Sequence, residues 1–296
     1  MFGKDNKGSK SAAVKPGMDN KQVTEINEEL RLQENLNKIK HTILVLSGKG
    51  GVGKSTVATN VAFALASRRF KTGLLDIDIH GPSVPTLLGL EKAPLHATDH
   101  NTILPVEYND FLKVISVGFM LPDTKEAVIW RGPLKYNLIK QFLSDVEWGK
   151  LDFLVIDSPP GTGDEPLSVA QLVKNPTGAI IVTTPQNVST IDVKKSITFC
   201  NKLNIPVLGV VENMSGFVCP HCGKETFIFR KGGGSEIATE MNIPFLGTLP
   251  LDPLIVENSD AGRPFAQSAA VNATTSQRHF EEIVTSLLKI INEEVK

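Results

Sequence analysis

Short, unbroken apolar runs alternate with helix-length segments along most of the chain. Residues 41–46, His-Thr-Ile-Leu-Val-Leu, form one such run, the pattern of a strand covered on both faces of a parallel sheet. Comparable runs at 72–77, 112–117, 151–156, 179–182, 207–211 and 245–249 predict further strands. Between them, helical patterns are expected at 54–67, 134–146, 166–172, 190–203 and 235–241. This alternation predicts an α/β fold, a mostly parallel twisted sheet with helices on both faces. Ligands of such folds bind beyond the carboxyl ends of the strands.

The two ends of the chain read differently. Residues 1–22 are rich in Gly, Ser, Lys, Asn and Asp, bury little, and are expected to be disordered. A charged helical pattern follows at 24–40, with Ile26, Leu30, Leu36 and Ile39 roughly on one face. Residues 1–38 are thus read as a disordered and helical extension, and 39–296 as the main domain. At 280–295, Phe280, Ile283, Val284, Leu287, Leu288 and Ile291 form one stripe opposite Glu281, Glu282, Glu293 and Glu294. Membrane-surface helices favour a basic polar face, so this helix is expected to pack on the core.

Composition narrows the function classes. The net charge of -1 and pI of about 6.6 argue against a duplex-DNA partner. No apolar run reaches the ~20 residues that span a bilayer. The polar, lysine-bearing first residues lack the apolar stretch of a secretory signal, so cytoplasmic residence without a membrane or nucleic-acid partner is expected. Three cysteines make no full disulfide framework.

Gly48-Lys49-Gly50-Gly51-Val52-Gly53-Lys54-Ser55 fits G-x-x-x-x-G-K-[ST], directly after a predicted strand and opening a predicted helix. Glycines let successive N–H groups curl toward phosphate oxygens, and the helix N-terminus adds its positive end. The segment from Gly48 to Thr56 is therefore expected to bind ATP with magnesium. Lys54 would reach the β- and γ-phosphates and the Ser55 hydroxyl would bind Mg2+. Two acidic motifs follow other strands. In Asp76-Ile77-Asp78-Ile79-His80-Gly81-Pro82-Ser83, a carboxylate is placed to orient water or approach the metal. In Asp157-Ser158-Pro159-Pro160-Gly161-Thr162-Gly163-Asp164, Asp157 is the candidate magnesium ligand.

Cys219-Pro-His-Cys222-Gly lets two thiolates face one metal, while a closed zinc or iron–sulfur site needs four ligands. Cys200 falls in a predicted helix and is expected to be a buried apolar residue. Two pairs meeting on the two-fold axis of a homodimer would supply the full set.

The run Gly-Lys-Gly-Gly-Val-Gly-Lys-Ser-Thr resembles the deviant Walker A group, which includes MinD, ParA, the nitrogenase iron protein and the Mrp/ApbC cluster carriers. Asp-Ile-His-Gly-Pro-Ser, Asp-Ser-Pro-Pro-Gly-Thr-Gly-Asp, Val-Glu-Asn-Met-Ser and Cys-Pro-x-Cys-Gly are together similar to the Mrp/ApbC branch over about residues 39–270. The resemblance implies that Lys49 crosses a dimer interface to the partner's nucleotide, with Lys49, Lys54 and Asp78 serving catalysis. It implies that Asp78 is the switch I aspartate, and that Asn213, Pro250 and Asp252 lie on the adenine side. It also implies slow ATP hydrolysis and a 4Fe-4S cluster bridged by Cys219 and Cys222 of two subunits, delivered to apo iron–sulfur proteins. Residues 1–40 contain no cysteine, so the N-terminal cluster site of some eukaryotic relatives is not implied. A MinD- or ParA-like organiser with a structural zinc knuckle is the alternative, and a redox ATPase like the nitrogenase iron protein a third. That last type has two separated cysteines per chain, whereas these form an adjacent pair.

Overall fold

A computed structural model describes residues 20–79, 81–99, 102–120, 132–219, 221–222, 224–229, 231–266 and 273–294. The expected disorder of residues 1–19 lies outside the described residues. In chain order the elements are α1 (Asn20–Leu36), β1 (Ile39–Leu46), α2 (Lys54–Ser67), β2 (Thr72–Asp76), α3 (Val84–Leu87), β3 (His96–Ala97), β4 (Ile103–Leu104), β5 (Val106–Asn109) and β6 (Leu112–Ser116). They continue with α4 (Gly132–Ser144), β7 (Leu151–Asp157), α5 (Asp164–Val173), β8 (Gly178–Thr183), α6 (Asn187–Lys202), β9 (Val207–Glu212), β10 (Phe217–Val218), β11 (Glu225–Thr226), α7 (Gly233–Glu240), β12 (Phe245–Thr248), α8 (Pro253–Asp260) and α9 (Thr275–Glu294).

The main sheet has the order β12-β9-β8-β1-β7-β2-β6-β5. Every neighbouring pair is parallel except β5 and β6. Alternate residues of each strand feed opposite cores, as the two-residue period of a strand requires. Ile43 and Val45 pack with α2 and α9, whereas Leu44 and Leu46 pack with α4 and α5. Both faces are therefore apolar, and the strands read as continuous runs rather than as alternation.

The C-terminal stripe packs as expected: Phe280, Ile283, Val284, Leu287 and Ile291 are buried against β12, β9 and α2. No helix among the described residues is long and apolar enough to cross a membrane. One expectation about the first helix needs correction. It ends at Leu36, and Ile39 opens β1, pairing in parallel with Leu151. The ladder with β7 overrides the helical spacing of Ile39. The helix lies on the main domain. Leu32 is wholly buried in the second core, and Asn35 Nδ2 donates to the carbonyls of Ser144 (2.6 Å) and Val146 (3.1 Å) at the end of α4.

Candidate functional site

The strand order sets β1, β7 and β2 side by side, so their carboxyl ends form one edge. Val45 is level with Asp157, and Asp157 with Asp76. The glycine loop leaves β1 at this edge. Gly51 and Gly53 have φ of +76° and +82°, a left-handed backbone that side chains disfavour. Gly53 is the N-cap of α2, and among the described residues no side chain caps that helix. Its first N–H groups are therefore aimed at whatever sits in the loop. Ser47, Lys49, Gly50, Gly51, Gly53, Lys54, Ser55, Thr56, Asp78, Gly81, Ser83 and Pro160 line a cavity of about 260 Å3. Val52 is buried beneath the loop, and Gly48 packs against Asp192 of α6 so closely that a Cβ would overlap its backbone.

Lys54 is the electrostatic centre. Its Nζ lies 2.6 Å from Asp157 Oδ1, 3.6 Å from Asp78 Oδ2 and 3.3 Å from Ser55 Oγ. Lys54, Asp157 and Asp76 are buried. Burial raises the Asp157 carboxyl above its ordinary range, although Lys54 beside it opposes the rise. Burial, with the neighbouring charge of Asp157, pushes Asp76 up to about 7, against hydrogen bonds from Ser116 Oγ (2.8 Å) and the Asp78 N–H (3.0 Å). Asp157 Oδ2 is shielded from solvent and has no hydrogen-bond partner among the described residues. A carboxylate oxygen left so, beside the Ser55 hydroxyl, suits a hard divalent cation that takes oxygen ligands. These residues fit magnesium.

The outer residues are arranged as follows. Lys49 Nζ lies 3.4 Å from Gln186 Oε1 of its own chain. Asn213 is buried, and its Nδ2 donates to the Val52 carbonyl at 2.9 Å, bracing the loop from outside. Pro250 is buried beyond β12. Asp252 is the N-cap of α8, accepting from the Leu254 N–H at 2.9 Å through one oxygen and from Ser276 Oγ through the other.

The cysteine pair lies apart from the loop, on the β10–β11 hairpin, where Phe217 is level with Thr226 and the Cys219 N–H donates to the Lys224 carbonyl at 3.0 Å. Cys219 is half-buried and Cys222 exposed. The N–H groups of Cys222 and His221 point at the Cys219 sulfur and, with the Cys222 side chain, lower its pKa. The turn thus favours the thiolate that a metal needs. Among the described residues no group of three or more His, Cys, Asp or Glu is placed to hold a metal. Cys200 is wholly buried in α6, and burial pushes its thiol up to about 12.

Residues 38–288 match the ParA family, described as NUBPL iron-transfer P-loop NTPases. The chain belongs to this family. It is 53% identical over 237 residues to the iron-sulfur cluster carrier protein of Methanocaldococcus jannaschii, covering 80% of this chain and 81% of that one. It is 51% identical over 246 residues to the cytosolic Fe-S cluster assembly factor CFD1 of Kluyveromyces lactis, covering 81% and 87%. Among solved structures, the nucleotide-binding protein of Archaeoglobus fulgidus in complex with ADP, with cobalt found in it, matches with a TM-score of 0.71 and 43% identity. That match covers 79% of this chain and 91% of that one. P-loop NTPases of this kind are nucleotide hydrolases.

Three residues of this P-loop NTPase carry more of the geometry than the motifs announce. Asp76 is the wholly buried residue at the end of β2, while its motif draws attention to Asp78. The Gly161 N–H donates to the Ser47 carbonyl at 2.7 Å, tying the Pro-Pro-Gly turn to the phosphate loop. Glu212, the last residue of β9, is wholly buried and accepts hydrogen bonds from three donors. An acidic residue closing an otherwise apolar strand is the signal common to Asp76 and Glu212.

Proposed function

We propose that this protein is an ATP-binding, slowly hydrolysing iron–sulfur cluster carrier. Two copies hold one 4Fe-4S cluster between their cysteine hairpins and pass it to apo iron–sulfur proteins. The observation that carries this reading is the hairpin itself: two thiols on an exposed turn whose N–H groups favour the thiolate. Two thiolates per chain against four ligands per cluster call for a second chain. The names of the relatives in Methanocaldococcus jannaschii and Kluyveromyces lactis, a carrier and an assembly factor, support the same reading. An exposed turn gives the cluster few outer contacts, so it leaves readily, as a carrier requires.

In the same proposal, Gly48–Thr56 cradles the phosphates of ATP. Lys54 moves from its carboxylate partners to the β- and γ-phosphates. Ser55 and Asp157 hold magnesium, which neutralises charge on the phosphate oxygens. Asp78 orients the attacking water, and Lys49 leaves Gln186 to reach the partner's nucleotide. Asn213, Pro250 and Asp252 lie toward the base.

Anaerobic reconstitution with iron and sulfide tests the reading, with metal analysis, absorption spectroscopy and light scattering. The expected result is a dimer holding about two irons and two sulfides per chain. About one zinc per chain with no iron would favour the structural knuckle of a MinD- or ParA-like ATPase. A monomer carrying a full cluster would overturn the bridging arrangement.

A further inference from the structure

The end of β9 joins the phosphate loop to the cysteine hairpin. Glu212 accepts hydrogen bonds from Ser215 Oγ and the Gly234 N–H at 2.5 Å each, and from the Gly232 N–H at 3.2 Å. Ser215 lies on the stem leading out to the hairpin, and Gly232 and Gly234 lie where the stem returning from it enters α7. One buried carboxylate therefore clamps both stems. The returning stem is built for close approach: a Cβ on Gly234 would lie 3.1 Å from Glu212, and Gly232 has φ of +87°. The outgoing stem is held along the extension of β12, with the Ser215 N–H donating to the Leu249 carbonyl (2.8 Å) and the Leu251 N–H to the Gly216 carbonyl (2.7 Å).

Asn213 sits between this clamp and the phosphate loop. Its N–H donates to the Thr183 carbonyl at 2.8 Å, and its Nδ2 to the Val52 carbonyl at 2.9 Å. A Cβ on Gly53 would lie 2.2 Å from that Nδ2. The side chain is thus wedged against the residue preceding Lys54. The Gly53 backbone has no room to move toward it unless Asn213 moves too.

We infer that Asn213, with Glu212 behind it, is a positioning residue that passes movement of the phosphate loop to the Cys219 and Cys222 hairpin of the same chain. The inference rests on the reading of the loop as an ATP site and deepens it: nucleotide occupancy and hairpin posture are linked within one protomer. A nucleotide shifts such an equilibrium only as far as it favours one posture over the other. With one buried hydrogen bond as the connector, the link is worth about two- to ten-fold.

The test needs no cluster. Cluster-free protein is alkylated anaerobically with iodoacetamide, and rates at Cys219 and Cys222 are followed by mass spectrometry with and without magnesium AMPPNP. Calorimetry sets a saturating concentration for each variant, so any loss of affinity is read separately. In the wild-type chain the nucleotide is expected to change the rates by about two- to ten-fold. In Asn213→Ala and Asn213→Ser that response disappears at full occupancy. In Glu212→Gln, with the clamp weakened, the hairpin reacts faster in both states. Buried Cys200 stays unreacted in any folded variant, so unfolding is recognised directly. A wild-type response retained in both Asn213 variants would overturn the inference, as would a wild-type chain whose cysteines ignore the nucleotide. Failure to load a cluster counts against the carrier reading alone, and failure to bind AMPPNP against the ATP site.

Discussion

Lys54→Met removes the cation that lies 2.6 Å from Asp157 and 3.6 Å from Asp78 while keeping most of the side chain's volume. Deleting one partner of a buried ion pair costs about 3–5 kcal/mol, because the remaining charge is stranded without solvent. The stranded group is Asp157, wholly buried and already raised by desolvation. Without Lys54 its folded-state pKa rises further, while in the unfolded chain it stays an ordinary carboxylate. The folded variant therefore favours the protonated Asp157 carboxyl more than the folded wild type does. A group protonated in the folded state and ionised in the unfolded state loses stability as pH rises, by at most about 1.4 kcal/mol per pH unit. The variant's deficit is thus larger near pH 8 than near pH 6. Thermal melts of nucleotide-free protein, followed by circular dichroism, read this directly. The expected Tm deficit is roughly 10 °C near pH 8 and smaller near pH 6. Equal deficits at both pH values, or none near pH 8, would refute the reasoning. Calorimetry on the same variant is expected to show ATP affinity lost.

Asp78→Asn is expected to keep ATP binding and lose turnover by about 100-fold or more, the range of one positioned acid–base group. Equal loss of both, by calorimetry and phosphate release, would make Asp78 a binding residue. Cys219→Ala is expected to abolish cluster loading and leave ATP affinity unchanged, since the hairpin lies apart from the loop; iron retained after desalting would contradict this. Asn35→Ala leaves the Ser144 carbonyl without its donor, while the Val146 carbonyl keeps the Trp148 N–H, and is expected to cost about 1–3 kcal/mol. The loss should appear as faster hydrogen exchange in α1, and unchanged protection there would show that the contact contributes nothing.

The apolar runs and their spacing determined the parallel sheet, because a strand covered on both faces has to be apolar at every position, as at Ile43–Leu46. They also determined where the chemistry lies, since the glycine loop, Asp157 and the Asp76–Asp78 segment each close a strand. The short elements were not legible. Each of β3, β4, β10 and β11 is two residues long, and β5 is an edge strand with alternating burial, too brief for a period to register. The helices α3 and α8 are also short, and each carries a proline in its first turn. Only the tertiary structure decided which charges meet. Lys54 and Asp157 are 103 residues apart in sequence, and Asp76 becomes a buried neighbour because β2 pairs with β7 rather than with β1. Asn213 reaches Val52 across 161 residues for the same reason, β8 standing beside β1 and β9 beside β8. Local pattern fixes the faces of a strand, but the order of strands in a sheet is set by how whole layers pack, and that order brings these polar groups together.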